Sequence, residues 1–260
     1  MDRRAFLRST GLVGGGAALG GAAAAASAER HDLVTVSRSG HAVGPLRPFG
    51  LTTTTLTYRV PTREPVVALT FDDGPSREYT AAVLDILRAK GVPATFNLIG
   101  RHVTQLPDLA RRVAAAHEVG NHTWSHPNLG LAGAQEAQRQ LERGAGAIES
   151  VTGTRPATFR PPFGYFSGAT MMAAAGLHLP VVLWDQAFDR HGESPAANVD
   201  RLAAAVQPGS IVLGHDGGSL PCDVVVAALP SLIDQLRARG LSFVTTSALL
   251  ALERPDPANA

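Results

Sequence analysis

From Val66 onward, short apolar or β-branched runs alternate with longer stretches of helical spacing, and this alternation narrows the fold more than any other feature. The runs predict strands over 66–72, 94–99, 118–122, 157–160, 180–184, 210–215 and 241–245. Between them the spacing predicts helices over 80–90, 107–116, 132–151, 168–175, 198–206 and 224–239. The last carries Val225, Ala228, Leu229, Leu232, Ile233 and Leu236 on one face, as a helical period requires. Gly91 and Gly240 follow charged helix ends, where a left-handed stop is expected. Repeated strand–helix units imply an α/β fold with a parallel sheet, open or closed into a barrel. At 260 residues and 45% hydrophobic side chains, the chain can bury a core of that size.

Asp72 with Asp73, His122, Arg160, Asp185 and His215 stand at the C-terminal ends of five of these strands. That end carries the chemistry in β/α barrels, so five strands aim reactive groups at one mouth. In Thr70-Phe71-Asp72-Asp73-Gly74-Pro75, an apolar strand ends in two carboxylates and then breaks. Adjacent strand side chains face opposite ways, so both can reach one site only if the turn redirects one. His122-Thr123-Trp124-Ser125-His126 sets two imidazoles four apart, on a shared face if the segment is helical. With Asp73 they make two nitrogens and one oxygen, a set that suits zinc, with cobalt, nickel and iron also compatible.

Two further segments contribute. Phe159-Arg160-Pro161-Pro162-Phe163-Gly164 stiffens a loop after a strand, which can fix the Phe163 N–H, and Arg160 can give Asp72 two parallel hydrogen bonds. The run from Ile211 to Asp216 presents His215 at a strand end. Trp184 and Leu213 are candidates for the wall of an acyl pocket.

These segments resemble the polysaccharide deacetylase family (carbohydrate esterase family four) over roughly 66–250. Thr-Phe-Asp-Asp-Gly-Pro, His-Thr-x-x-His, Arg-Pro-Pro-x-Gly and Leu-x-His-Asp occur in the family's order. The resemblance implies a distorted (β/α) barrel with about seven parallel strands and the active site at their C-terminal ends. It also implies metal-assisted hydrolysis of an acetyl group, usually the N-acetyl of a GlcNAc-type sugar in a polysaccharide. Carried over by position, Asp73, His122 and His126 bind the metal, Asp72 is the general base and His215 the general acid. The Phe163 N–H faces the oxyanion, and Arg160 orients Asp72. The chain departs from the family in having Phe163 where Tyr is common. It departs again after Trp184, where Asp189-Arg190-His191 stands one residue early. Asp189, or alternatively Asp185, is the acid that would keep His215 protonated. Competing readings are hydrolysis of a small non-sugar amide at the same site and a non-catalytic glycan-binding barrel.

The N-terminus pairs Arg3 and Arg4 ahead of Phe6 and Leu7, then runs through a Gly/Ala-rich stretch to Ala26-Ser27-Ala28. This pattern predicts a twin-arginine-type export signal over 1–28, a secreted or cell-envelope destination and no lasting membrane span. A spacer with an extra strand between Leu51 and Val60 is expected over 29–65, the catalytic domain over 66–250 and a tail over 251–260. Net charge is +1, and removing the signal takes away three arginines and one aspartate, leaving −1. Such a balance gives no electrostatic footprint for nucleic acid, and a monomer is expected. Cys222 is the only cysteine, so it is read as a small buried side chain.

Overall fold

The computed structural model describes residues 53–188, 192–218 and 222–253. The expected signal, most of the spacer, Asp189 and all but the start of the tail lie outside the described residues. The chain runs through β1 (Leu56–Thr57), β2 (Val66–Asp72), α1 (Tyr79–Lys90), β3 (Thr95–Leu98), α2 (Gly100–Gln105) and α3 (Pro107–Ala116). It continues through β4 (Glu118–Asn121), α4 (Ala134–Thr152), α5 (Gly168–Gly176), β5 (Val181–Val182) and β6 (Gln186–Ala187). The last elements are α6 (Pro195–Ala205), β7 (Ile211–His215), α7 (Cys222–Ala238), β8 (Ser242–Val244) and α8 (Thr246–Leu250).

Every ladder is parallel, in the order β4-β3-β2-β7-β6, with β8 also on β2 and β1 paired to β5. β2 is the central strand. Its Val67, Leu69 and Phe71 pack under α1 and α7 in the main core, while Ala68 faces a smaller cluster with Val182, Ile211 and Leu249. A strand buried on both faces reads as a near-continuous apolar run, which is why β2 stands out in the sequence. Gly91 and Gly240 take the left-handed conformation expected of them, with φ 59° and 80°. Cys222 is fully buried, its thiol directed at the Gly217 carbonyl at 3.2 Å.

The fold is the expected α/β class, but among the described residues continuous ladders do not close the barrel. The strand predicted over 157–160 is reduced to single bridges from Phe159 to Asn121 and Val181. Pro156, Pro161 and Pro162 flank it and lack the N–H groups a ladder needs. The run over 180–184 keeps two strand residues, bends at Trp184 and Asp185, and picks up β7 as β6. β1 falls in the Thr-rich stretch where an extra strand is expected, and it pairs with β5. Two short helices, α2 and α8, carry too few turns to leave a period in the sequence.

Helix α4 lies close against the loop that follows β4. A Cβ on Gly144 would fall 2.7 and 2.8 Å from the Thr123 carbonyl carbon and oxygen, whereas Gly146 on the same helix faces open space. Alanine is the better helix former at both positions. We therefore expect Gly146→Ala to stabilise by roughly 0.5–1 kcal/mol and Gly144→Ala to destabilise by about 1–3 kcal/mol, read from urea unfolding midpoints. Equal stabilisation by both would rule out the close approach.

Candidate metal centre and catalytic cleft

β2 ends at Asp72, and the chain then turns through Asp73 in the left-handed region (φ 73°) into a cis Gly74-Pro75 bond. That turn supplies the redirection two adjacent carboxylates need. It is anchored by Ile99 N–H to the Gly74 carbonyl at 2.9 Å. The Asp73 carbonyl accepts from His102 Nδ1 at 2.9 Å, which fixes that ring's proton on Nδ1.

The His122–His126 segment is not helical, which corrects the simplest reading of its spacing. Thr123 (φ 69°) and His126 (φ 62°) are both left-handed, and this folds the second imidazole back toward the first. Ring centroids end 5.0 Å apart. The loop is held from α4, where Gln140 Oε1 accepts from Trp124 N–H at 3.1 Å and Ser125 N–H at 3.0 Å. Asn121 completes the frame by donating to the Leu141 carbonyl and accepting from Thr123 N–H.

Asp73, His122 and His126 each offer a ligand atom within 4.8 Å of the other two. Asp73 Oδ1 lies 3.0 Å from His126 Nε2 and 3.4 Å from His122 Nε2, buried and without a hydrogen bond. His122 donates Nδ1–H to the Arg160 carbonyl at 2.7 Å, so in the neutral ring Nε2 carries a bare lone pair. Two imidazole nitrogens and a carboxylate oxygen facing one point fit a divalent cation, and the residues present suit the group. Burial raises the Asp73 carboxyl, but the pull of the His122 and His126 rings outweighs it and holds Asp73 well below the usual carboxylate range. Burial likewise opposes charge on His122, and the fields of Asp72 and Asp73 override it and raise the ring.

Asp72 is treated differently. Its Oδ1 accepts from Asn97 Nδ2 at 2.7 Å and from Arg160 Nη1 at 2.9 Å, leaving Oδ2 near His122 Nε2 at 3.8 Å. Arg160 gives Asp72 one bond rather than a parallel pair. Its other donors go to Thr70 Oγ1 at 2.7 Å and to the Val182 and Leu183 carbonyls at 2.9 Å. The guanidinium is 1% exposed, and Asp72 with Thr70 is its answer to that burial.

These groups open on a cleft of about 720 Å³ lined by Phe163, Trp184, Ala187, Leu213 and His215 as well as the carboxylates and imidazoles. Asp72 and His215 are register partners on β2 and β7, so they stand side by side at the mouth. Phe163 is left-handed (φ 59°) at the Pro161–Pro162 turn, its ring edge-on to His126 at 4.6 Å. That turn closes through Gly164 and Tyr165 N–H, which leaves the Phe163 N–H outside its own bonds. Asp185 accepts from Ser210 Oγ and Ile211 N–H at 2.7 Å, at the start of β7. His215 lies four residues on, roughly 13 Å along the strand, so Asp185 is not its neighbour. Asp189 lies outside the described residues.

Asn97 and Gln140 escape sequence reading, and Asp216 enters it only as the last residue of Leu-x-His-Asp. Asn97 carries a faint signal, a lone amide in the apolar run of β3. Gln140 carries none. Asp216 is fully buried behind the Asp73 turn, with Thr80 Oγ1 donating to Oδ2 at 2.5 Å and Oδ1 without a partner. Burial, reinforced by Asp73 and Asp72 against the pull of Thr80, pushes its carboxyl up to about 7.

The family profile described as polysaccharide deacetylase matches residues 59–182. The chain is 36% identical over 199 residues to a peptidoglycan-N-acetylglucosamine deacetylase of Bacillus cereus, covering 75% of this chain and 92% of that one. It is 39% identical over 193 residues to a chitooligosaccharide deacetylase of Sinorhizobium fredii, covering 69% and 89%. The crystal structure of the Bc1960 peptidoglycan N-acetylglucosamine deacetylase superposes with a TM-score of 0.73 at 32% identity, covering 77% of this chain and 96% of that one.

Zinc added to chelator-stripped protein should raise its melting temperature, about 2.7 kcal/mol of stabilisation being expected at a hundredfold excess over Kd. Asp73→Ala should remove the shift; an equal shift in that variant would rule out this trio. In the stripped protein Asp216 holds its proton longer when folded than when unfolded. Stability should therefore fall as pH rises from the unfolded value of 3.8 to about 7 and then level. Asp216→Asn should flatten that segment of the urea-midpoint profile, and a parallel fall in both proteins would contradict the assignment.

Proposed function

Because the chain belongs to the polysaccharide deacetylase family, we propose that it removes acetyl groups from GlcNAc-type sugars of a cell-wall or extracellular polysaccharide. The observation that carries this is the division of labour between adjacent carboxylates. Asp73 turns to the two imidazoles, while Asp72 keeps one oxygen uncommitted beside His215. Neither the small-amide reading nor the binding-only reading is favoured, since the named relatives are deacetylases of sugars and both proton-transfer residues are present.

In this reading Asp73, His122 and His126 hold a divalent metal, zinc first. When bound, it supplies Lewis-acid polarisation of the acetyl carbonyl and a more acidic water. Asp72 Oδ2 takes the proton of the attacking water. Its partner oxygen is occupied by Asn97 and Arg160, which orients the carboxylate and leaves Oδ2 as the oxygen free to act as base. The Phe163 N–H donates to the developing oxyanion, a contact worth roughly 3–4 kcal/mol in comparable sites. His215 returns a proton to the leaving amine, which favours N-acetyl over O-acetyl substrates, and Asp189 is the acid assigned to it. Trp184, Leu213 and Ala187 form the apolar wall that receives the acetyl methyl.

Export through the twin-arginine-type signal over 1–28 is part of the same proposal, because the polymers named for the relatives lie outside the cytoplasm. No helix among the described residues is long and apolar enough to cross a membrane.

Metal-loaded protein should release acetate from at least one of chito-oligomers, peptidoglycan and acetylated xylan, measured enzymatically. Asp72→Asn should lower kcat by about 10²- to 10⁴-fold with metal content unchanged. Failure of the wild-type chain on all three polymers would reject the carbohydrate reading.

A further inference from the structure

We propose that Arg101 makes this cleft selective for acetylated glycans that carry a carboxylate beside the acetamido sugar; the inference rests on the deacetylase reading and names its substrate class. Arg101 lines the same cleft as Asp72, Asp73 and the imidazoles. Among the described residues its guanidinium is exposed and makes no ion pair or side-chain hydrogen bond. Several other surface arginines do pair, Arg88 with Asp85, Arg111 with Asp108, Arg139 with Glu136 and Arg201 with Glu193. No carboxylate stands one helical turn from Arg101, where Thr104 and Gln105 lie.

The placement of Arg101 is rigid where it needs to be. Its own N–H donates to the Trp124 carbonyl at 2.9 Å, and Gly100 N–H donates to the Thr123 carbonyl at 2.9 Å. Ile99, one residue earlier, is tied to the Asp73 turn. The base of the side chain is therefore fixed to both halves of the metal trio, and only its charged end is left to find a partner.

The cleft's own anions do not claim that charge. Asp72 is neutralised by Arg160 at 2.9 Å, and Asp73 faces the imidazoles. A guanidinium presents a planar fork that matches a carboxylate, whereas a neutral amino-sugar polymer offers it only uncharged hydroxyl and amide oxygens. A glycan with an ether-linked carboxylic acid, or with a uronic acid, on the sugar next to the acetamide does. Both sources present the same chemistry.

The test compares oligomers of equal length with the full, metal-loaded chain. One alternates N-acetylglucosamine with N-acetylmuramic acid, a second is the same oligomer with its carboxyl reduced to the alcohol, and a third carries a uronate instead. Acetate release should favour the carboxylate form over its reduced twin by about tenfold in kcat/KM, mainly through KM and less so in high salt. Arg101→Ala should bring that ratio close to one, and Arg101→Lys should retain part of it. Preference for the uronate oligomer as well extends the recognition to any glycan carboxylate, whereas preference for the muramic oligomer alone assigns the ether-linked acid as the source. An unchanged ratio in Arg101→Ala, or no wild-type preference with turnover intact, overturns this inference and leaves the deacetylase reading standing. A wild-type chain inert on every oligomer overturns both.

Discussion

The Arg160 guanidinium is the interaction on which the rest of the site is built. A buried cation is expensive to desolvate, and it persists only where its donors are met. Here they reach Thr70 and Asp72 on β2 and the Val182 and Leu183 carbonyls at β5. The same residue's carbonyl receives His122 Nδ1–H, and its N–H binds the Asn121 carbonyl. One arginine thus joins the central strand, the end of β4 and the Trp184 wall. It also occupies one oxygen of Asp72 and sets the tautomer of one imidazole. Replacing it with an apolar residue of similar size would leave Asp72 as an uncompensated buried charge.

Around that anchor the backbone is bent at the residues of the cleft and of the histidine loop. Among the described residues, four of the five non-glycine residues with positive φ are Asp73, Thr123, His126 and Phe163. Such conformations cost roughly 1–3 kcal/mol each and survive where the surroundings over-determine them. The surroundings do so here: Gln140 and Asn121 fasten the histidine loop, His102 and Ile99 fasten the Asp73 turn, and paired prolines frame Phe163.

Strand ends were the most legible part of the sequence, because β2 and β7 are apolar runs that stop abruptly at Asp72 and His215. The trio of Asp73, His122 and His126 follows from those stops and from ligand chemistry. The helical reading of His122 and His126 fails because spacing of four fits a helix and a left-handed loop equally well, and only the tertiary frame decides. Arg160 was legible as the partner of Asp72, yet its carbonyl acceptors near β5 were not, since backbone oxygens leave no mark in a sequence. Gln140 is illegible for the same reason: its partners are main-chain amides sixteen and fifteen residues away.

One consequence lies in the unevenness of the barrel wall. β2 is stitched to β7 over five register pairs, while between β4 and β5 the bridges run through Phe159, backed by main-chain bonds from Ala157 to Val119 and from Arg160 to Asn121. Opening free energy follows the number of hydrogen bonds and packed contacts that must be given up together. The Phe159 seam holds fewer register pairs than the β2–β7 ladder, so its amide protons are expected to exchange ahead of those of β2.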